Sequence, residues 1–171
     1  MAGKLLQVDT TTITSATASF SIGGIDDDSV YMVTCNSVNV QNQNEDVFIR
    51  IGTSSSADTS NNYDYIAKNL YTGGNFIDNQ SVNNTSWVNV FINQRTAGIG
   101  SGNAVMYLHN FYNTNVPSTI IFDNVHTYTG GNNIYGVQGV GHHTQGAQQT
   151  HIYFGYGGNI INGTFTLYKI L

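Results

Sequence analysis

The sequence predicts an all-β protein, a two-sheet antiparallel β-sandwich of the jelly-roll-like type, and three observations lead to this prediction. Asn, Thr, Ser and Gly together make 73 of the 171 residues, which supplies turn formers and strand-tolerant Thr but little that favours helices. Charged residues are only 9% of the chain, against about 25% in an average soluble domain. Alternating segments of strand length follow one another between turn clusters, as in a sandwich or a barrel.

In the N-terminal half, two segments define the expected sheet. Residues 29–40 carry apolar residues at odd and even positions alike, which predicts a central strand covered on both faces. Residues 46–53 alternate in the manner of a half-buried strand. A Ser-, Asn- and Asp-rich stretch at 53–62 predicts an exposed loop tip. The other strands predicted in this half are residues 4–8, 10–22 and 63–66.

In the C-terminal half, predicted strands alternate with glycine-rich breaks. The segment 98–102 reads as a flexible loop between two neighbouring strands, and Pro117, the only proline, precedes another strand. Some ten strands in one chain suit a jelly-roll better than a seven-stranded immunoglobulin-like sandwich. The strands predicted in this half are residues 85–94, 104–112, 118–128, 134–140, 150–156 and 160–171. Their alternation places four aromatic side chains in or beside the core: Trp87, Phe91, Tyr107 and Phe165.

The chain is predicted to form one domain over residues 1–171. No tandem repeat of the kind found in propellers or solenoids is visible, and no Pro/Ser-rich or charged linker divides the sequence. Residues 1–10 are a candidate docking arm that becomes ordered on a neighbouring molecule. The arm residues singled out are Lys4, Leu5, Leu6 and Gln7.

Charge and hydropathy exclude several classes of partner. The net charge of −5 and a pI near 5.2 leave no basic patch that could neutralise phosphates, so nucleic-acid binding is not expected. No apolar run approaches the ~18 residues of a membrane span, and the N-terminus lacks the apolar centre of a signal peptide. Synthesis and folding in a cytoplasm are therefore expected. Cys35, the only cysteine, is predicted to be a small buried hydrophobe rather than a reactive thiol.

The sequence contains no motif that predicts enzymatic chemistry. Phosphate-binding loops, a nucleophile elbow, a His-Glu-x-x-His pair and a Cys-x-x-Cys pair are all missing, and no cofactor is expected. With one Glu and nine Asp, no pair of acids stands out as glycosidase carboxylates. The acidic cluster Asp26-Asp27-Asp28 is interpreted as a solvated turn, because the loop spacing of known calcium sites is absent. A Ca²⁺ site is the alternative.

The five histidines fall into two groups. His109, His126 and His151 lie within predicted strands, and each is expected to be a partly buried or subunit-contact residue rather than a metal ligand. His142 and His143 lie in the glycine-rich segment 139–146, which is predicted to be a polar loop. Adjacent histidines rarely chelate one ion, although three subunits around an axis could each supply one.

Aromatic and polar residues without charge dominate the expected surface. Eleven Tyr, eight Phe and abundant Asn and Thr suit two uses, which are permanent subunit assembly and the recognition of a host glycan by loops at one end of the sandwich. Loops expected to be exposed supply the candidate recognition residues: Ser55, Asn61, Asn62, Gly100, His142 and His143.

The order of several segments resembles that of tailed-bacteriophage virion proteins. The similar segments are Lys4-Leu5-Leu6-Gln7-Val8, Phe20-Ser21-Ile22-Gly23-Gly24-Ile25-Asp26, a strand containing Tyr31, Val47-Phe48-Ile49-Arg50-Ile51, Tyr63-Asp64-Tyr65 and the closing Gly163-Thr164-Phe165-Thr166-Leu167-Tyr168. This resemblance implies a jelly-roll-like β-sandwich that assembles as a homotrimer without a cofactor. It supplies no catalytic residue.

Within this family, a capsid decoration (cement) or head-fibre protein bound to the major capsid protein is the expected role. The chain begins almost at once with a predicted strand and shows no long attachment shaft, which a tail fibre usually needs. The alternative is a tail-fibre or receptor-binding protein that recognises a host surface glycan. Both alternatives place the protein on a virion surface, on the capsid or on the tail.

Overall fold

The computed structural model describes residues 3–41, 46–72, 76–93, 102–128 and 133–171, and these ranges form strands, turns and bends. All strand pairs are antiparallel, which confirms the predicted fold class. A helix able to cross a membrane does not occur in the described ranges. The strands of the described ranges are β1 (Leu5–Ile13), β2 (Thr17–Gly23), β3 (Tyr31–Val40), β4 (Asp46–Gly52), β5 (Tyr63–Tyr71), β6 (Phe76–Asn84), β7 (Trp87–Asn93), β8 (Gly102–His109), β9 (Thr119–Tyr128), β10 (Asn133–His143) and β11 (His151–Ile170).

One long strand, β11, belongs to both layers of the fold. Its C-terminal part pairs with β1 on one side and β3 on the other, inside a large layer of order β6-β5-β10-β9-β8-β3-β11-β1. Its N-terminal part pairs with β2 and β4, inside a small layer of order β2-β11-β4-β7. Gly157 and Gly158 lie where the strand passes from one layer to the other, a corner of the kind made by strands that switch sheets.

The two layers face each other through β7. This strand contacts β5, β9 and β10 of the large layer, and it pairs with none of them. The indole Nε1 of Trp87 donates to the backbone oxygen of Asp64 at 3.0 Å, and the Trp87 ring lies edge-on to Tyr63 with centroids 5.1 Å apart. These contacts hold the small layer on the large one, as in a β-sandwich.

Alternation along each strand decides which side chains form the core between the layers. In β9, Ile120 and Phe122 are buried while Ile121 is exposed, and in β8 Met106 and Leu108 are buried while Tyr107 is exposed. Trp87 and Phe165 are fully buried, which confirms their predicted place, whereas the prediction for Tyr107 is wrong because this ring points away from the core. The side chain of Phe91 lies outside the described residues.

The prediction that the strand at residues 29–40 is covered on both faces is wrong, and a β-bulge in β3 explains why. Tyr31, Val33 and Cys35 are buried at odd positions, and Val38 and Val40 are buried at even positions. The register to β8 shifts between Cys35 and Val38, where Ser37 has a φ of 53°. The extra residue reverses the alternation of side chains. Odd positions before the bulge and even positions after it therefore point to the same, buried face. Cys35 is buried as predicted, and burial raises the pKa of its thiol well above the ordinary value.

The predicted docking arm is wrong for the residues that the structure describes. Lys4 and Leu171 exchange backbone hydrogen bonds of 3.4 and 2.9 Å, and Leu5 pairs with Ile170. Leu6 and Gln7 continue the same pairing, so this segment is an edge strand of the protein's own sheet rather than an arm that needs a neighbour. Met1 and Ala2 lie outside the described residues.

Candidate functional site

The outer face of the large layer carries a row of exposed apolar side chains, which we call the outer row. Ile66, Val140, Ile121 and Tyr107 are 62, 48, 50 and 38% exposed. Each is the direct cross-strand partner of the next, and the row continues into half-buried side chains on β3 and β11. The complete outer row is Ile66, Val140, Ile121, Tyr107, Met32 and Tyr168.

Two rows composed mostly of polar side chains border the outer row, one on each side. Moving two residues along each strand in one direction gives the His142 row, which consists of Asp64, His142, Thr119 and His109. Moving two residues in the other direction gives the Lys68 row, which consists of Lys68, Gln138, Asp123 and Val105. On β5, β10 and β9 a single apolar line, one side chain wide, therefore runs between two hydrophilic lines, whereas on β8 Val105 adds an apolar side chain to its border.

The charged side chains of these two rows have local partners that leave them accessible. The Lys68 ammonium lies 3.5 Å from the Asp78 carboxylate on edge strand β6, and both side chains are mostly exposed. The Gln138 amide donates to Asp123 at 3.1 Å. Asp64 accepts the backbone N–H of Asn83 at 2.7 Å. The positive charge thus lies in the Lys68 row, and Asp64 lies in the other row on the same strand.

An open groove lies at the β6 end of this face. Its volume is 630 Å³, and it is lined by Asp64, Ile66, Gln80, Val82 and His142 among others. His142 is exposed on β10, directly opposite Asp64 on β5, so the structure places it on a sheet face and not in the loop that the sequence predicted.

Three connecting segments meet at one end of the sandwich. The backbone N–H of Thr144 donates to the oxygen of Asn62 at 2.8 Å, and that of His143 donates to the oxygen of Ser118 at 2.9 Å. In the same region, the backbone N–H of Gln149 donates to the backbone oxygen of Phe111 at 2.6 Å. Residues 53–62, 110–118 and 143–150 therefore form one surface.

The predicted recognition residues divide between exposed and structural positions. Ser55 and Asn61 are exposed at this end, whereas Asn62 is half-buried and accepts the Thr144 hydroxyl at 3.3 Å. Gly100 lies outside the described residues. The prediction for His143 as an exposed recognition residue is wrong, because its side chain is completely buried.

His143 is buried because it ties the 53–62 loop to the sheet. Its Nε2 lies 2.9 Å from the Asp58 carboxylate, and its Nδ1 lies 3.1 Å from the backbone oxygen of Gln145. Both neighbours can accept a hydrogen bond, so the ring joins the loop to the sheet through both of its nitrogens. Burial favours a higher pKa for Asp58, but hydrogen bonds from Ser60 and the adjacent His143 outweigh it and lower that pKa.

The acidic cluster also has structural partners. The Lys169 ammonium lies 3.1 Å from the Asp26 carboxylate and contacts that of Asp27 as well. Asp28 accepts the Asn113 amide at 2.9 Å. The Tyr31 hydroxyl and then Lys169 lower the pKa of Asp26, while Lys169 and then Ser29 lower the pKa of Asp27. Since the positive charge at these carboxylates comes from the chain itself, this geometry supports the turn interpretation over a Ca²⁺ site.

Replacing Lys169 by Met is expected to raise the pKa values of Asp26 and Asp27 toward the ordinary value of about 4. Lowered folded-state pKa values give stability that is present above the unfolded pKa and is lost as the pH falls through the folded values. The variant should therefore lose less stability than wild type on acidification. NMR titration of the carboxyl carbons measures the shift, with Lys4→Met as the control. An unchanged pKa of Asp27 would contradict the assignment.

The other three histidines, which were expected to be partly buried or to contact a subunit, are buried or half-buried. His126 is buried, with its ring centroid 5.2 Å from that of Tyr135. His109 and His151 are half-buried, and the His151 ring covers Gly23 of β2. Within the ranges that the structure describes, no cluster of three or more His, Cys, Asp or Glu side chains could hold a metal ion.

Comparison with known proteins finds no match by sequence and weak similarity to solved structures. No protein-family model and no curated protein matches the chain. The chain is similar to the crystal structure of the infectious bursal disease virus VP2 subviral particle, at 11% identity over 99% of this chain and 42% of that one, with a TM-score of 0.20. The structure of infectious bursal disease virus Gt strain gives 12% identity, the same coverages and a TM-score of 0.14. The chain thus spans less than half of those chains, and such scores carry no argument about function.

Proposed function

We propose that this chain is a non-enzymatic structural protein of a phage virion, a capsid decoration or head-fibre protein that binds the major capsid lattice as a homotrimer. The observation that carries the proposal is the outer row. Contiguous exposed apolar side chains on a soluble protein usually mark an interaction surface. The resemblance of the sequence to tailed-phage virion proteins supports a virion as the place of assembly.

The use of the acidic side chains supports a structural role. Asp26 and Asp27 bind Lys169, Asp58 binds His143, and Asp9 accepts the backbone N–H of Gly23 at 2.9 Å. Each of these carboxylates joins segments that are distant in sequence. They serve the fold as cross-links between loops and strands, which suits a protein whose task is to keep its shape in an assembly.

Quantification of the protein in purified virions tests this role. A copy number comparable with that of the major capsid protein is expected, because a decoration protein occupies a repeated lattice site. Particles that lack the protein should lose resistance to heat, and adding the purified protein back should restore it. A few copies per particle, confined to the tail, would contradict the proposal.

A tail receptor-binding protein remains the second candidate, and the convergence of three segments at one end of the sandwich favours it. Ser55 and Asn61 are exposed on that surface, and loops held on a rigid scaffold often carry recognition. Direct binding of the purified protein to host cells, weakened by Asn61→Ala, would support this alternative. Unaltered binding in that variant would exclude this surface as the receptor site.

A further inference from the structure

We infer that the outer row lies along the three-fold axis of a homotrimer, so that the partner of this face is two further copies of the chain. The inference rests on the proposed function and names the surface through which the trimer forms. It depends on the shape of the apolar patch and on the charges beside it.

The shape of the patch favours three copies over a flat pairing of two. The outer row crosses six neighbouring strands, which makes it about 24 Å long at a strand spacing of about 4.8 Å. Along β5, β10 and β9 it is one side chain wide, because polar side chains follow about 7 Å away on each side. Three narrow apolar lines that meet at an axis can bury one another, whereas two flat sheets packed face to face would also bury the polar rows.

The charges agree with an axis parallel to the outer row. Rotation about such an axis does not change the position of a strand along the axis, so equivalent strands of neighbouring copies lie side by side. At each strand, the His142 row of one copy therefore faces the Lys68 row of the next copy. On β5, Asp64 then faces Lys68 of the next copy. On β10, His142 faces Gln138, and on β9 Thr119 faces Asp123. Opposite charges therefore meet and no like charges are opposed.

The same arrangement closes the groove at the β6 end of the face. Its wall includes Asp64, Ile66 and His142, all of which belong to the outer row or to the His142 row beside it. The groove is therefore part of the subunit interface rather than a ligand site.

Disulfide trapping tests the geometry. In the double variant His142→Cys/Gln138→Cys, the two cysteines lie four residues apart on one strand, about 13 Å, which is too far for a bond within a chain. Each can reach only the other cysteine of a neighbouring copy, while Cys35 is buried. Oxidation should give a ladder that ends at the covalent trimer on denaturing gels, and each single variant should stay monomeric.

Other outcomes of the trapping experiment overturn the inference. A ladder that ends at the covalent dimer would show a two-fold packing of the same face. A trimer by light scattering without any cross-link would move the interface to another surface and leave the proposed function standing. A monomer at micromolar concentration would contradict the trimer itself. Trapped trimers combined with a low virion copy number would keep the interface and reject the decoration role.

Charge reversal provides a second, independent test. Lys68→Asp should weaken the trimer about tenfold, because it places two carboxylates opposite each other at every subunit contact. Asp64→Lys should also weaken it, with an added effect from the lost Asn83 contact. The double variant Asp64→Lys/Lys68→Asp should form trimers better than Asp64→Lys alone. Absence of this rescue, in variants whose circular dichroism is unchanged, would contradict the facing of these two residues.

Discussion

Phe165→Ala is expected to lower the free energy of unfolding by about 3–5 kcal/mol, the usual cost of removing a fully buried aromatic ring. The ring of Phe165 has no exposure, and its centroid lies 4.6 Å from that of Phe20 and 4.9 Å from that of Phe154. Its backbone pairs with Cys35 on one side and Thr11 on the other. Because β11 is held on both sides, the surrounding strands can close only part of the cavity.

Urea unfolding at one fixed protein concentration measures this loss, since assembly makes apparent stability depend on concentration. Phe76→Ala is the matched control, because Phe76 lies on edge strand β6 and is 69% exposed. The control should change the free energy of unfolding by no more than about 0.5 kcal/mol. Equal effects of the two substitutions would show that the closing strand is peripheral to the core.

The sequence predicted the existence of most strands but not the continuity of the last one. Residues 150–156 and 160–171 were expected as two strands because Gly157 and Gly158 read as a turn. In the structure the chain bends there without reversing, and one strand serves both layers. Glycine marks a place where the backbone can bend sharply, but sequence alone does not say whether the bend is a hairpin or a corner.

The strand β6 was missed and the outer row was not foreseen, for two different reasons. Phe76–Asn84 has no regular alternation because it is an edge strand with little contact to the core. In β8 and β9, apolar residues stand at both parities, so the pattern could not tell which set faces the second layer. Alternation predicts two faces of a strand, and only the tertiary arrangement decides which of them is covered.

One of the errors at the candidate site could have been avoided from the sequence. Neighbouring residues in an extended strand point to opposite faces, so His142 and His143 could not both be exposed if their segment was a strand. The glycines around them favoured a loop instead. The partner of His143 could not be found in this way, because Asp58 is 85 residues distant and belongs to a stretch that reads as a solvated tip.

His143→Ala is expected to lower the free energy of unfolding by about 3 kcal/mol, since it removes a buried ring and leaves the Asp58 carboxylate without its hydrogen-bond partner on the sheet. The substitution deletes the contacts of Nε2 with Asp58 and of Nδ1 with Gln145, and it also removes the ring that packs edge-on against Tyr63 at 4.8 Å. The 53–62 loop then keeps its backbone hydrogen bonds, the bond from the Tyr63 hydroxyl to the backbone oxygen of Asp58, 2.8 Å long, and the bond from the Thr144 hydroxyl to Asn62. Hydrogen exchange in this loop should therefore accelerate more than in β11.

Gln145→Ala is the control for this prediction, because the exposed Gln145 contributes its backbone oxygen to His143 and that oxygen remains in the variant. It should stay within about 0.5 kcal/mol of wild type.

The pH dependence of stability adds a second readout. The lowered pKa of Asp58 gives stability that is present above its unfolded pKa of about 4 and is lost as the pH falls through the folded value. Asp58→Asn should remove this part of the acid sensitivity while lowering stability at neutral pH. If His143→Ala and Gln145→Ala unfolded alike and Asp58→Asn kept the full acid sensitivity, the pair would not be what fixes the loop to the sheet.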